Sequence, residues 1–119
     1  METIKHFKEP KVWQKGVEIV KDTYEITRLF PKEEMYGLTA QMKRSAISIP
    51  SNIAEGFKRY HAKEYKQFLY IALGSIAELE TQIVIAKEVG LLKNPTMDTM
   101  NEKLDHTSKM LSSLISKLR

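Results

Sequence analysis

The chain contains no cysteine, which excludes disulfides, thiolate nucleophiles and thiolate metal sites. That absence fits a reducing cytoplasm. No run approaches the roughly 20 apolar residues of a membrane span, and the N-terminal METIKHFKEPKVW lacks the apolar core of a signal peptide. HExxH, Walker and GxGxxG patterns are missing, and with them the commonest signatures of zinc hydrolysis, nucleotide hydrolysis and dinucleotide binding. There is no internal repeat, low-complexity tract or linker long enough to separate domains. These absences lead to the expectation of a cytoplasmic protein, without a membrane partner, forming one domain over residues 1–119.

What is present is helical. The composition, 42% hydrophobic and 29% charged, is that of a globular protein. Apolar residues recur at three-to-four spacing in four segments and no strand pattern competes. The first helix is expected over about 10–30, with Trp13, Val17, Val20, Tyr24 and Thr27 as its stripe and Pro10 opening it. FPKEEMYG (residues 30–37) breaks the chain through Pro31 and Gly37. The second helix is expected over about 38–60, the third over about 62–89 and the fourth over about 95–118. Gly90 suits a left-handed cap after the third helix, and Asn94–Pro95 offers a cap and first-turn proline for the fourth. Four such helices with short connections make an all-α, antiparallel up-down four-helix bundle.

Several helices carry apolar residues on two faces. In the second, Leu38, Met42, Ala46, Ile49, Ile53 and Tyr60 form one stripe, while Ile47 and Ala54 point almost oppositely. In the third, Ile71 and Ile85 oppose a stripe running from Tyr65 through Leu69, Ala72, Ile76 and Leu79 to Ile83. In the first, Ile19 and Ile26 oppose the Val17 stripe. Surplus apolar faces imply a second buried surface, most simply a contact between copies of the chain. Gly74 costs a helix about 1 kcal/mol relative to alanine, which a close helix–helix approach would explain.

The second helix holds the least ordinary stretch, AISIPSNIAEG (residues 46–56). Gln41, Arg44, Ser48, Asn52, Glu55 and Arg59 fall in one wedge of its wheel, and Glu55 and Arg59 are spaced for an i,i+4 ion pair. Pro50 removes one backbone hydrogen bond and crowds the Ala46 carbonyl, so it either kinks this helix or splits it in two. The continuous stripe favours one helix kinked at Pro50, with Ser48, Ser51 and Asn52 bonding the freed carbonyls.

No catalytic constellation emerges. Ser48 has no histidine at helical spacing, and His6, His61 and His106 lie on different segments without a ligand motif. The chain is expected to be no enzyme and to bind no metal or cofactor.

The formal net charge of +4 is localised: residues 1–37 and 67–119 are each balanced. The excess lies in 38–66, where Lys43, Arg44, Lys58, Arg59, Lys63 and Lys66 face only Glu55 and Glu64. Such a cluster is either a nucleic-acid contact or a solvated basic face. Tyr60 and Tyr65 lie among the charges and could stack on bases, and both also suit the core stripe.

Three segments carry a family likeness: FKEPKVWQKGVEIVKDTYEITRLFP, YGLTAQMKRSAISIPSNIAEGFKR and EYKQFLYIALGSIAELETQIVIAKEVGLL, within residues 7–92. They resemble the four-helix bundle proteins encoded by intervening sequences in bacterial 23S rRNA genes. The accessory variability proteins of diversity-generating retroelements belong to the same broad family. The combination QxxRSAxSIPxNIAEG is long enough to be specific. The resemblance implies a cytosolic bundle that assembles as a ring-like homopentamer without known enzymatic activity. In the retroelement relatives a basic surface binds nucleic acid and the reverse transcriptase. Gln41, Arg44, Ser45, Ser48, Pro50, Asn52, Glu55 and Gly56 match the pattern, and the role it implies for them is structural.

Two functions follow as expectations. One is an oligomer binding RNA or other nucleic acid non-specifically through the six bases. The other is a scaffolding oligomer that binds a protein partner. In both, Gln41, Ser48, Pro50, Asn52, Glu55 and Gly74 serve structure or interface.

Overall fold

The computed structural model describes residues 10–118. Its helices are α1 (Lys11–Arg28), α2 (Leu38–Phe57), α3 (Ala62–Glu88) and α4 (Asn94–Lys117), with a 3-10 turn at Lys32–Glu34 between the first two. Each helix packs against the next and α4 closes back on α1, while among the described residues the backbones of diagonal helices stay apart. The result is an antiparallel four-helix bundle measuring 47 × 24 × 19 Å.

The helix ends follow local chemistry. Gly90 takes φ 84°, and the Leu91 N–H folds back to the Ala86 carbonyl at 2.8 Å, so α3 stops as its sequence implies. Asn94 is not the cap of α4: it lies inside the first turn, and the Met97 N–H bonds to the Lys93 carbonyl at 3.1 Å. Nor does α2 reach Tyr60. It ends at Phe57, and Tyr60 stands 97% exposed in the turn rather than in the core stripe.

Helix α2 runs unbroken through Pro50, so the proline does not split it. Pro50 is buried against α1, where Gly16 leaves room for its ring. A Cβ added at Gly16 would lie 3.2 Å from Pro50 Cβ and 3.3 Å from its Cδ. The core stripe of α1 lies one residue from the expected one along most of the helix, and the two share Thr27. Val12, Gly16, Ile19, Thr23 and Thr27 are buried there, whereas Val17 and Val20 are partly exposed and Tyr24 is exposed. Apolarity alone points to the wrong stripe because glycine and threonine occupy core positions. The threonines are compatible with burial because each hydroxyl donates to a carbonyl one turn back, Thr23 to Ile19 at 2.8 Å and Thr27 to Thr23 at 2.9 Å. Ile19 is therefore core and not part of a surplus face, and Ile26 packs against the core edge.

The α2 stripe, apart from Tyr60, and the α3 stripe match expectation. Met42, Ala46, Ile49 and Ile53 meet Leu69, Ala72, Ile76, Leu79 and Ile83, with Met100, Leu104 and Leu111 from α4. Ile47, Ile71 and Ile85 remain exposed on the outside. By length and composition α3 is apolar enough to cross a membrane, contrary to the expectation from its sequence. Its apolarity has a local cause: one stripe fills the bundle core, and a second covers the outer face.

Candidate nucleic-acid interface

The polar row of α2 lies along its seam with α3. Asn52 Nδ2 donates to the Ser48 carbonyl at 2.7 Å and to Ser48 Oγ at 2.8 Å. Ser75 Oγ on α3 stands 2.8 Å from Ser48 Oγ and 3.1 Å from the Ile71 carbonyl. Each hydroxyl has one proton, so the arrangement that uses every group is Asn52 to Ser48 to Ser75 to the Ile71 carbonyl. Asn52 thus does not patch the Ala46 carbonyl freed by Pro50, as expected from sequence. It starts a hydrogen-bond chain that joins two helices. Ser48 is engaged with an amide and another hydroxyl, with no base in contact.

Beside this chain lies a groove of about 320 Å³ lined by Gln41, Arg44, Ser45, Ser48, Glu78 and Gln82. Gln82 is buried, and its Oε1 has no hydrogen-bond partner. Gly74 is not at a close approach within the chain, since a Cβ added there meets nothing within 4 Å. The tight glycine is Gly56: a Cβ there would come within 2.8 Å of Phe68 Cβ and 2.9 Å of Tyr65 Cδ1. Among the described residues no cluster of three or more His, Asp or Glu side chains could hold a metal ion. His6 lies outside the described residues.

The six bases of residues 38–66 do not form one patch. Lys58, Arg59, Lys63 and Lys66 gather around the α2–α3 turn. Lys43 and Arg44 stand fifteen residues back along α2 from Lys58 and Arg59, about 22 Å away at 1.5 Å per residue. They also diverge: Lys43 Nζ lies 4.5 Å from the centroid of the Tyr24 ring on α1, while Arg44 lines the α2–α3 groove. At the turn, Arg59 pairs with Glu55 at 3.4 Å and stacks its guanidinium 5.0 Å from the Phe68 ring centroid. The two tyrosines part company as well. Tyr60 projects into solvent among the charges, whereas Tyr65 packs edge-to-face on Phe57 at 6.2 Å. Burial pushes the Tyr65 hydroxyl pKa up, and its ring is committed to the core.

The fold adds charges that the local count missed. An up-down bundle places the start of α1 and the end of α4 beside the α2–α3 turn. Lys11, Lys15, Lys109 and Lys117 therefore join the four bases of the turn. With each helix divided at its middle, this half of the molecule holds eight described bases against three acids, Glu18, Glu55 and Glu64. The other half holds eight bases against ten acids. The bundle is electrostatically polar along its axis, positive where the exposed Tyr60 lies.

The family model for 23S rRNA-intervening sequence proteins matches residues 8–113 of the chain. Among solved structures, the chain is similar to a protein of unknown function from the S23 ribosomal protein family of Bacteroides thetaiotaomicron. The two are 23% identical with a TM-score of 0.78, over 87% of this chain and 97% of that one, a likeness of fold. No curated protein matches the chain.

Proposed function

The chain belongs to the family of 23S rRNA-intervening sequence proteins, and from that premise we propose that it is a non-enzymatic, cytoplasmic homo-oligomer binding RNA or other nucleic acid through the basic end of its bundle. The observation that carries this reading is the axial charge asymmetry, eight bases against three acids at one end. Phosphate backbones are bound by such clusters without regard to sequence. Tyr60 adds an exposed ring on which an unpaired base can stack. The self-association half of the reading is supported by the apolar outer face of α3, where Tyr70, Ile71, Val84 and Ile85 remain exposed. The non-enzymatic half is supported by Ser48, whose partners are Asn52 and Ser75.

One observation favours the alternative, a scaffold for a protein partner. The opposite end exposes Leu29, Met35 and Tyr36, apolar side chains suited to another protein. An end-specific comparison separates the two. Lys58→Glu with Lys63→Glu removes single-stranded RNA binding, while Lys32→Glu with Lys93→Glu at the opposite end leaves it near wild type. Equal loss from both pairs defeats the assignment to the basic end, and no binding by wild type at low salt defeats the nucleic-acid reading and leaves the scaffold.

A further inference from the structure

The hydrogen-bonded rung at Ser48 and Ser75 fixes the register of α2 against α3. Because the helices are antiparallel, three and seven residues back from Ser48 stand Ser45 and Gln41, facing Glu78 and Gln82 at three and seven residues on from Ser75. With Arg44, these next two rungs line the groove beside the seam. The Ser48 rung is bonded throughout, and these are not. Among the described residues no hydrogen bond or ion pair engages the side chains of Gln41, Arg44, Ser45, Glu78 or Gln82, although Arg44 and Glu78 bring opposite charges to one groove. Ser45 is 5% exposed and Gln82 9%. Polar side chains buried to that degree are ordinarily partnered, and leaving one without costs free energy that a ligand's hydrogen bond offsets. Gln82 Oε1 is sealed from solvent. The groups left for a ligand are therefore the Ser45 hydroxyl, the Arg44 guanidinium, the Glu78 carboxylate and the Gln41 amide.

Charge decides the class of that ligand. A phosphate suits Arg44 and is repelled by Glu78, and an ammonium does the reverse. Both walls are satisfied by a neutral, planar group with acceptors on one edge and donors on the next. Guanine has that pattern. Its O6 and N7 accept from a guanidinium fork, and its N1–H and 2-amino group donate to the two oxygens of a carboxylate. Adenine instead turns the N1 lone pair toward a carboxylate. Cytosine offers it a single amino group and crowds its acceptors onto the same edge. An adjoining trough shares Gln41, Glu78 and Gln82 and adds Gly74, Ala77 and Ile85, an apolar surface on which a ring can lie.

From this arrangement we infer that the α2–α3 groove is a guanine subsite, taking one base of the single strand whose phosphates lie on the basic end. The subsite rests on the nucleic-acid reading proposed above and gives that reading a preferred base. Phosphate contacts hold the strand and the groove reads it. Ser45 lies twelve residues before the end of α2 and Glu78 sixteen after the start of α3, about 18 and 24 Å from the shared turn at 1.5 Å per residue. The path between is open to an anionic strand. On α2 it passes Ser48, Asn52 and Glu55, whose carboxylate pairs with Arg59. On α3 no acid intervenes between Lys66 and Glu78.

The test is anisotropy of the full chain with three labelled RNAs of equal length: uridines alone, the same strand with one central guanosine, and the same with one central inosine. The uridine strand reads the basic end. The guanosine strand binds about tenfold tighter, the size of one good bidentate contact. Inosine, which lacks the 2-amino group, loses most of that gain. Glu78→Gln makes the guanosine and inosine strands equal while uridine binding stays at the wild-type level, and Arg44→Met lowers the guanosine-to-uridine ratio. Circular dichroism shows that both variants keep the helical fold. Wild type that binds the three strands alike, or a guanosine preference that survives Glu78→Gln, overturns the subsite and leaves the basic end standing. Wild type that binds no strand at low salt overturns the nucleic-acid reading and, with it, the strand as source of the base. Guanosine 5′-monophosphate then tests the groove alone through the side-chain amide resonances of Gln41 and Gln82. Shifts larger than those with adenosine 5′-monophosphate support a guanine site for the free nucleotide, and equal shifts overturn the site altogether.

Discussion

Three glycines show how one missing Cβ does different work. At Gly56 the absent carbon is occupied space, 2.8 Å from Phe68 Cβ, so α2 and α3 can only approach there without a side chain. At Gly16 the neighbour is the stiff ring of Pro50. At Gly74 there is no intrachain neighbour. In urea unfolding, Gly56→Ala costs about 1–3 kcal/mol as overpacking, despite alanine's better helix propensity. Gly16→Ala costs less, because its contacts are longer. Gly56→Ala stabilising by the ~1 kcal/mol that propensity alone predicts contradicts this account of the α2–α3 contact. Much of this was beyond sequence reading. The periodicity of Met42, Ala46, Ile49 and Ile53 is legible because those residues are apolar. The α1 stripe is less so, because Gly16 and Thr23 read as surface until a partner helix and i−4 carbonyls are supplied.

At the scale of elements, the bundle is joined by two unlike polar devices. The α2–α3 seam uses the neutral chain through Ser48 and Ser75. The α1–α4 seam uses Lys103, whose ammonium reaches Asp22 at 2.5 Å and Glu18 at 3.1 Å. The hydrogen bond to Asp22 raises the Lys103 pKa, with Glu18 reinforcing it, and the Lys103 hydrogen bond lowers the Glu18 pKa. For Glu18 the folded value lies below the unfolded one. Its contribution is therefore present above the usual carboxylate range and lost as pH falls through the depressed value. For Lys103 the contribution is present below the usual lysine range and lost as pH rises through the raised value. The cluster is partly exposed, so its worth is of the order of 1 kcal/mol or less. Lys103→Met should lower the melting temperature at neutral pH, and the gap from wild type should narrow in acid and again in strong alkali. A gap that is constant with pH would assign the loss to packing alone. The unpaired stripe on α3 belongs to this scale too. Ile71 and Ile85 were legible as surplus apolar residues, while Tyr70 and Val84 are seen to share their exposed side only once the core stripe is assigned.

For the whole molecule, topology decides what charge can do. Counting along the chain joins Lys43 and Arg44 to Lys58, Arg59, Lys63 and Lys66, yet α2 carries them about 22 Å apart. The same count omits Lys11 and Lys117, which the up-down path returns to the basic end. The fold class was readable because four amphipathic segments with short connections permit few arrangements. The extent of the interface was not, because it depends on which helix ends are neighbours. In the homo-oligomer proposed above, basic ends that meet one strand together multiply the phosphate contacts without any new residue. The most direct test is the salt dependence of binding to a labelled single-stranded RNA, measured by anisotropy on the full chain. Four phosphate contacts by one copy, through Lys58, Arg59, Lys63 and Lys66, set a log–log slope of about −3 at ~0.7 per contact, and further copies on the same strand make it steeper. The Lys58→Glu, Arg59→Glu, Lys63→Glu variant should bind weakly and with a slope near zero. Wild-type binding that is insensitive to salt, or a variant that matches wild type in affinity and slope, contradicts a basic-end nucleic-acid interface.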